Sequence, residues 1–114
     1  MAGDVKGKIV FADIVLGHWP KWEDMLRVFE GAMSAGGLTV IKEICHEFEP
    51  QGTTHIWLLS ESHMSVHTWP ESNFFAIDIF TCGKEGNPGA VLDYIKDNLD
   101  IINCTINEKS RGII

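Results

Sequence analysis

Residues 53–82 read TTHIWLLSESHMSVHTWPESNFFAIDIFTC, and three runs inside this stretch decide the fold. Thr53–Ser60 (TTHIWLLS) has the composition of a strand. Met64, Val66 and Thr68 then alternate with Ser65, His67 and Trp69, the two-residue period of a half-buried strand. Phe74–Cys82 (FFAIDIFTC) is another such run. Pro70 ends the middle run and Gly83 the last, with only short polar segments between. Strands joined this closely pair antiparallel, because a parallel crossover needs roughly a dozen residues or more.

The flanks extend the pattern. Positions 8–16 (KIVFADIVL) read as a buried strand with Asp13 as the odd residue, ended by Gly17 and Pro20. From Lys21 the period changes: Trp22, Met25, Leu26, Phe29, Ala32 and Met33 recur at spacings of three and four and share one helix face. Glu23 and Asp24 suit the positive end of that helix, and Gly36-Gly37 stops it. Residues 38–48 (LTVIKEICHEF) return to β character before a turn at Pro50-Gln51-Gly52. A second helix starts near Pro88 and carries Val91, Leu92, Ile95 and Leu99 on one face. Ile102, Cys104 and Ile106 alternate as a last strand.

Two helices among about six strands predict an α+β chain. Its architecture is a two-layer α/β sandwich, a mainly antiparallel sheet with helices on one face. Residues 1–114 form a single domain, and no linker or repeat divides them. Trp57, Trp69 and several Phe in the strands leave the second sheet face to be hidden, so a homodimer packed sheet to sheet is expected.

Composition narrows the function. Nine Lys+Arg against 16 Asp+Glu give a net charge of −7, with no basic cluster to bind nucleic acid. No apolar run approaches the roughly 18–20 residues of a membrane helix, and the N-terminus has no leader pattern, so a cytoplasmic protein is expected. Cys45, Cys82 and Cys104 are odd in number and widely spaced, which fits neither a disulfide framework nor a CxxC zinc pair.

Thr54, His55, Glu61, Ser62, His63, His67, Asp78 and Cys82 are polar residues in or beside apolar strands, and three chemistries compete for them. His63 and His67, joined by Asp78 or Cys82, carry metal-ligand groups. Along a strand, however, the two imidazoles stand about 13 Å apart, too far to share one ion. Cys82 activated by His67 makes a Cys–His nucleophile between neighbouring strands. Glu61-Ser62-His63 permits self-cleavage: the serine hydroxyl attacks the preceding carbonyl, and β-elimination then leaves a pyruvoyl group able to form a Schiff base with an amine. The spacing alone is not specific and favours a turn serine and a sheet histidine.

Ser60–Glu71 (SESHMSVHTWPE) followed by Ala76–Gly83 (AIDIFTCG) resembles the prokaryotic, short-chain class of S-adenosylmethionine decarboxylase proenzymes. His46–Gly52 and Arg111-Gly112 extend the likeness to essentially the whole chain. The resemblance implies an α/β sandwich that dimerises, and a pyruvoyl-dependent decarboxylase of polyamine synthesis. It implies cleavage between Glu61 and Ser62, giving a β chain of 1–61 and an α chain of 62–114, with the pyruvoyl cofactor made from Ser62. His67 becomes the base in processing, Cys82 the proton donor in catalysis, and Thr54 stands where the family usually has an assisting serine. Phe48 matches an aromatic that stacks on adenine. No metal is implied.

Three departures bear on the substrate. The family's G-x-H is Gly7-Lys8-Ile9, which loses a histidine; its G-V-S-G is Gly52-Thr53-Thr54-His55; its Y-A-A-I-D is Phe74-Phe75-Ala76-Ile77-Asp78. His55 and Phe75 are expected to reshape a nucleoside pocket, and acidic Glu47, Glu49 or Glu71 to hold a substrate cation. The alternatives to S-adenosylmethionine are therefore L-arginine or L-ornithine, acted on by the same groups, and an unprocessed relative without activity.

Overall fold

The computed structural model describes residues 5–60, 62–82 and 86–113. The chain runs β1 (Val5–Leu16), α1 (Trp22–Ala35), β2 (Val40–Glu47), β3 (Thr53–Leu59), β4 (His63–Trp69), β5 (Phe74–Cys82), α2 (Pro88–Asn98) and β6 (Ile101–Ile113). A 3-10 turn at Pro70–Ser72 joins β4 to β5. The strands form one six-stranded sheet in the order β2-β3-β4-β5-β1-β6. All five pairings are antiparallel. The expected elements are all present, and β1 and β6 are longer than the sequence pattern marks.

Local chemistry sets the helix ends. Asn87 caps α2 by accepting the Ala90 N–H at 3.1 Å, with Pro88 in the first turn. After α1 it is Gly37 (φ 71°), not Gly36 (φ −82°), that takes the left-handed turn.

The core lies between sheet and helices. Val10, Ala12, Ile14 and Leu16 of β1, Trp57 and Leu59 of β3, Met64 and Val66 of β4, and Phe75, Ile77 and Ile79 of β5 all point to the helix layer. Phe29 of α1 meets them with its ring 5.4 Å from Phe75 and 6.0 Å from Trp57, both edge-on. Phe29→Ala is expected to cost about 3–5 kcal/mol in urea unfolding, because the cavity cannot collapse against a rigid sheet. A loss below about 1 kcal/mol would place Phe29 outside the core.

Two helices, each about 10 Å across, cover roughly four strands spaced about 4.8 Å apart. The edge strand β2 is accordingly exposed at every position. On the opposite, open face of the sheet, Phe11, Ile56, Leu58 and Trp69 are exposed beside the polar residues of β3–β5. Among the described residues no helix is long and apolar enough to cross a membrane.

Candidate active site

Candidate polar residues gather in two groups, one at each end of β4. The first sits where Thr54 pairs with His67. Their Oγ1 and Nδ1 atoms share a hydrogen bond of 3.0 Å, its direction set by the imidazole tautomer. The Thr53 N–H donates to Thr68 Oγ1 at 2.9 Å, fixing the two strand ends. Beside this pair opens a cavity of about 310 Å³ whose lining includes Phe48, Thr54, His67, Trp69 and Glu71. The Phe48 N–H donates to the Gly52 carbonyl at 2.8 Å, closing the turn that carries Phe48. The His46 ring supports Phe48 edge-on at 4.6 Å. Phe48 and Trp69 are exposed, so two aromatic surfaces and one carboxylate stand ready for a ligand.

The second group lies at the other end of β4. The Leu59 N–H donates to the Ser62 carbonyl at 3.0 Å, leaving only positions 60 and 61 between the paired residues. Ser62 is 9% exposed. Next to it, His63 stands opposite Phe80, the rings stacked at 5.7 Å and 23°. Cys82, half-buried, follows on the same face two residues beyond Phe80. Opposite Cys82 on β1 is Gly7, where a Cβ would meet the Phe80 ring at 2.6 Å. Glu61 lies outside the described residues.

Register keeps the groups apart. Ala76, not Cys82, stands opposite His67. Six strand residues, about 20 Å, separate Ala76 from Cys82, which removes the Cys82–His67 nucleophile within one chain. Ser62 is five residues from His67, about 16 Å. His63 and His67 remain on one extended strand, about 13 Å apart, and do not converge on an ion. Among the described residues no His, Cys, Asp or Glu cluster of three is arranged for a metal.

Two expected pocket residues belong elsewhere. Strand alternation turns His55 away from Thr54, into the helix layer, where it is 5% exposed. There its ring stacks on Trp57 at 4.1 Å, and its Nε2 lies 3.0 Å from Glu43 Oε2. Phe75 is likewise core. Neither shapes the open-face cavity. Glu71 and Phe48 do line it, whereas Glu47 and Glu49 are not among its lining residues. His46, Trp69 and Phe80 also stand at these groups although no motif marks them; strand register places Trp69 and Phe80 there.

Cys45 is exposed on β2. Burial raises its thiol above the usual value, and the Glu47 and Glu43 carboxylates raise it further. Iodoacetamide at neutral pH is expected to label it more slowly than in the unfolded chain, since thiolate is the nucleophile. Equal rates in folded and unfolded protein would contradict that environment.

The family model for S-adenosylmethionine decarboxylase matches residues 21–112. The chain belongs to the S-adenosylmethionine decarboxylase family. An S-adenosylmethionine decarboxylase proenzyme from Pelotomaculum thermopropionicum is 35% identical over 111 residues, 95% of this chain and 88% of the relative. One from Moorella thermoacetica is 34% identical over 113 residues, 95% and 89% of the two chains. The crystal structure of an adenosylmethionine decarboxylase from Aquifex aeolicus superposes with a TM-score of 0.84 at 30% identity, covering 98% of this chain and 95% of that one. Ile9 stands opposite Phe80 on the open face.

Proposed function

We propose that this protein is a self-processing, pyruvoyl-dependent decarboxylase of S-adenosylmethionine. The observation that carries the proposal is the placement of Ser62. It is a buried serine whose carbonyl accepts the Leu59 N–H, next in sequence to His63 of the His63–Phe80–Cys82 group, in a chain that matches proenzymes along its length.

Processing uses this chain's own atoms. The Ser62 hydroxyl attacks the carbonyl carbon of residue 61, the C–N bond breaks, and an ester replaces the amide. A base removes the Ser62 Cα proton and the Cβ–O bond breaks, releasing residues 1–61 as a carboxylate. The dehydroalanine left at position 62 takes up water and loses ammonia, which leaves the pyruvoyl group. Ser62 adjoins His63 and the Cys82 thiol at one end of the sheet, and the hydrogen-bonded Thr54–His67 pair stands at the other, so the residues fit the group once two chains bring these ends together. Once formed, it supplies an electrophilic carbonyl that condenses with an amine and accepts the electrons released with carbon dioxide.

The remaining steps belong to side chains. Phe48 stacks on the adenine, and the Glu71 carboxylate faces the sulfonium charge. Thr54 holds the His67 ring through the 3.0 Å hydrogen bond. His67 is the processing base, and Cys82 returns a proton to the carbon that loses carbon dioxide. The 16 Å between His67 and Ser62 within one chain calls for a second copy. Two chains laid open face to open face about a two-fold axis bury Phe11, Ile56, Leu58 and Trp69 and place His67 of the partner subunit over Ser62 and Cys82.

Arginine or ornithine is not favoured. The curated relatives cited above are named for S-adenosylmethionine, and His55 and Phe75, the two substitutions that argued for a smaller substrate, lie on the other face. The test is mass spectrometry with a decarboxylation assay on the purified protein. Two chains split at Glu61/Ser62, an N-terminal carbonyl on the second, and carbon dioxide from S-adenosylmethionine alone are expected. A single intact chain, or release from arginine or ornithine instead, overturns the proposal.

A further inference from the structure

We propose that His63 is a positioning residue that acts through Cys82, handing it the proton that each turnover consumes. The inference rests on the decarboxylase reading and deepens it. Replacing a carboxylate by hydrogen takes up one proton per carbon dioxide released. When the Cys82 S–H bond breaks to form the new C–H bond, a thiolate remains. An S–H bond must re-form before the next cycle, and a proton carrier must stand close by.

Among the described residues of the same chain, His63 is the proton carrier nearest Cys82 on this face of the ladder. His63 and Phe80 are the last pair of the β4–β5 ladder, which puts Cys82 diagonally next to His63 on one face. Diagonal neighbours in a sheet lie about 7–8 Å apart at their backbones, within reach of an imidazole and a thiol. The ring stack on Phe80 holds the imidazole over this face. Phe80 in turn lies against the bare Cα of Gly7, the residue facing Cys82. In the single chain His63 is exposed at the end of the strand.

In the dimer proposed above His67 of the partner subunit is the one competing imidazole, and the variants below separate it from His63; the charged groups of the same chain are placed differently. On this face β3 presents Leu58 to His63, with Lys42 of β2 beyond it; β5 presents Asp78 opposite Ser65; β1 presents Ile9 and Gly7, with Lys109 and Arg111 of β6 beyond, and a guanidinium does not give up its proton. None of these charged groups lies between His63 and Cys82. The helices cover the other face. The transfer balances: imidazolium N–H breaks, S–H forms on the thiolate, and neutral imidazole regains its proton from water.

Ile9 supplies a control, since it flanks Phe80 on β1 as His63 does on β4 and is equally diagonal to Cys82. In processed His63→Gln protein, kcat is expected to fall about 10–100-fold with KM nearly unchanged. Added imidazole should restore turnover, and so should the double variant His63→Gln/Ile9→His. A second readout needs no turnover: the NMR titration midpoint of the His63 ring should move when Cys82 is replaced by Ser. If His63→Gln remains unprocessed, this titration decides. Unchanged kcat and pH profile in processed His63→Gln, or a midpoint indifferent to Cys82, overturns the inference alone. Wild-type protein with no decarboxylation overturns the function proposed above, while the titration still judges the pair.

Discussion

Replacing Ser62 by alanine is expected to leave the protein as one unbroken 114-residue chain with decarboxylation reduced to background. Only the hydroxyl oxygen disappears. The site is 9% exposed, and alanine fills nearly the same space, so stability should change by no more than about 1 kcal/mol. Cleavage, by contrast, loses the nucleophile that turns the amide into an ester, and no other hydroxyl is covalently placed to attack the residue 61 carbonyl. Ser60→Ala is the natural control, since that hydroxyl precedes the scissile bond by one residue and its loss should leave two chains. Mass spectrometry of both variants after prolonged incubation, beside circular dichroism to establish folding, reads the difference. Two chains and normal turnover from Ser62→Ala would remove the pyruvoyl mechanism altogether.

The sheet and its two helices were legible because periodicity reports faces directly. Met64, Val66 and Thr68 alternate with Ser65, His67 and Trp69, and the structure buries the first set and turns the second to the open face. The same rule, applied strictly, would have placed His55. Thr54 and His55 are adjacent, so they point to opposite faces, and a pocket containing Thr54 and His67 cannot also contain His55. The likeness of positions 52–55 to a family motif carries no information about that parity. Register was also recoverable, from the turn. Pro70–Ser72 forms a 3-10 turn, and Asn73 takes φ 52° at its end, so β5 begins opposite Trp69. Counting back from Trp69↔Phe74 gives His67↔Ala76 and His63↔Phe80, not His67↔Cys82.

Other features had no local signal. The run Val40–Glu47 is as β-like as any, yet it is exposed throughout because the helix layer is too narrow to reach it. Lys42, Glu43 and Glu47 are the charges that mark an edge strand, but they equally suit the outer face of a central one. Nor does any spacing announce that His67 and Cys82 lie toward different ends of one sheet. That separation is a three-dimensional fact, and it bears on how the proposed reaction is assembled.

Co-expressing His67→Ala chains with Cys82→Ala chains is expected to restore activity that neither variant has alone. Each variant by itself lacks one group in every site: the base that drives processing, or the thiol that returns the proton. If each site joins Ser62 and Cys82 of one chain to Thr54 and His67 of the partner subunit, a mixed dimer holds one site with every group intact. Its second site lacks both. Random pairing makes half of the dimers mixed, and half of their sites work, so recovery should approach about a quarter of wild-type activity. In the same mixture the His67→Ala chain should be cut at Ser62 wherever its partner supplies the imidazole, which mass spectrometry reads chain by chain. Activity that stays at background, with the His67→Ala chain uncut, would confine each site to one polypeptide. Such a result would leave the 16 Å between Ser62 and His67 to be closed by movement within the sheet, against the continuous ladder that pairs His63 through Trp69 with β5.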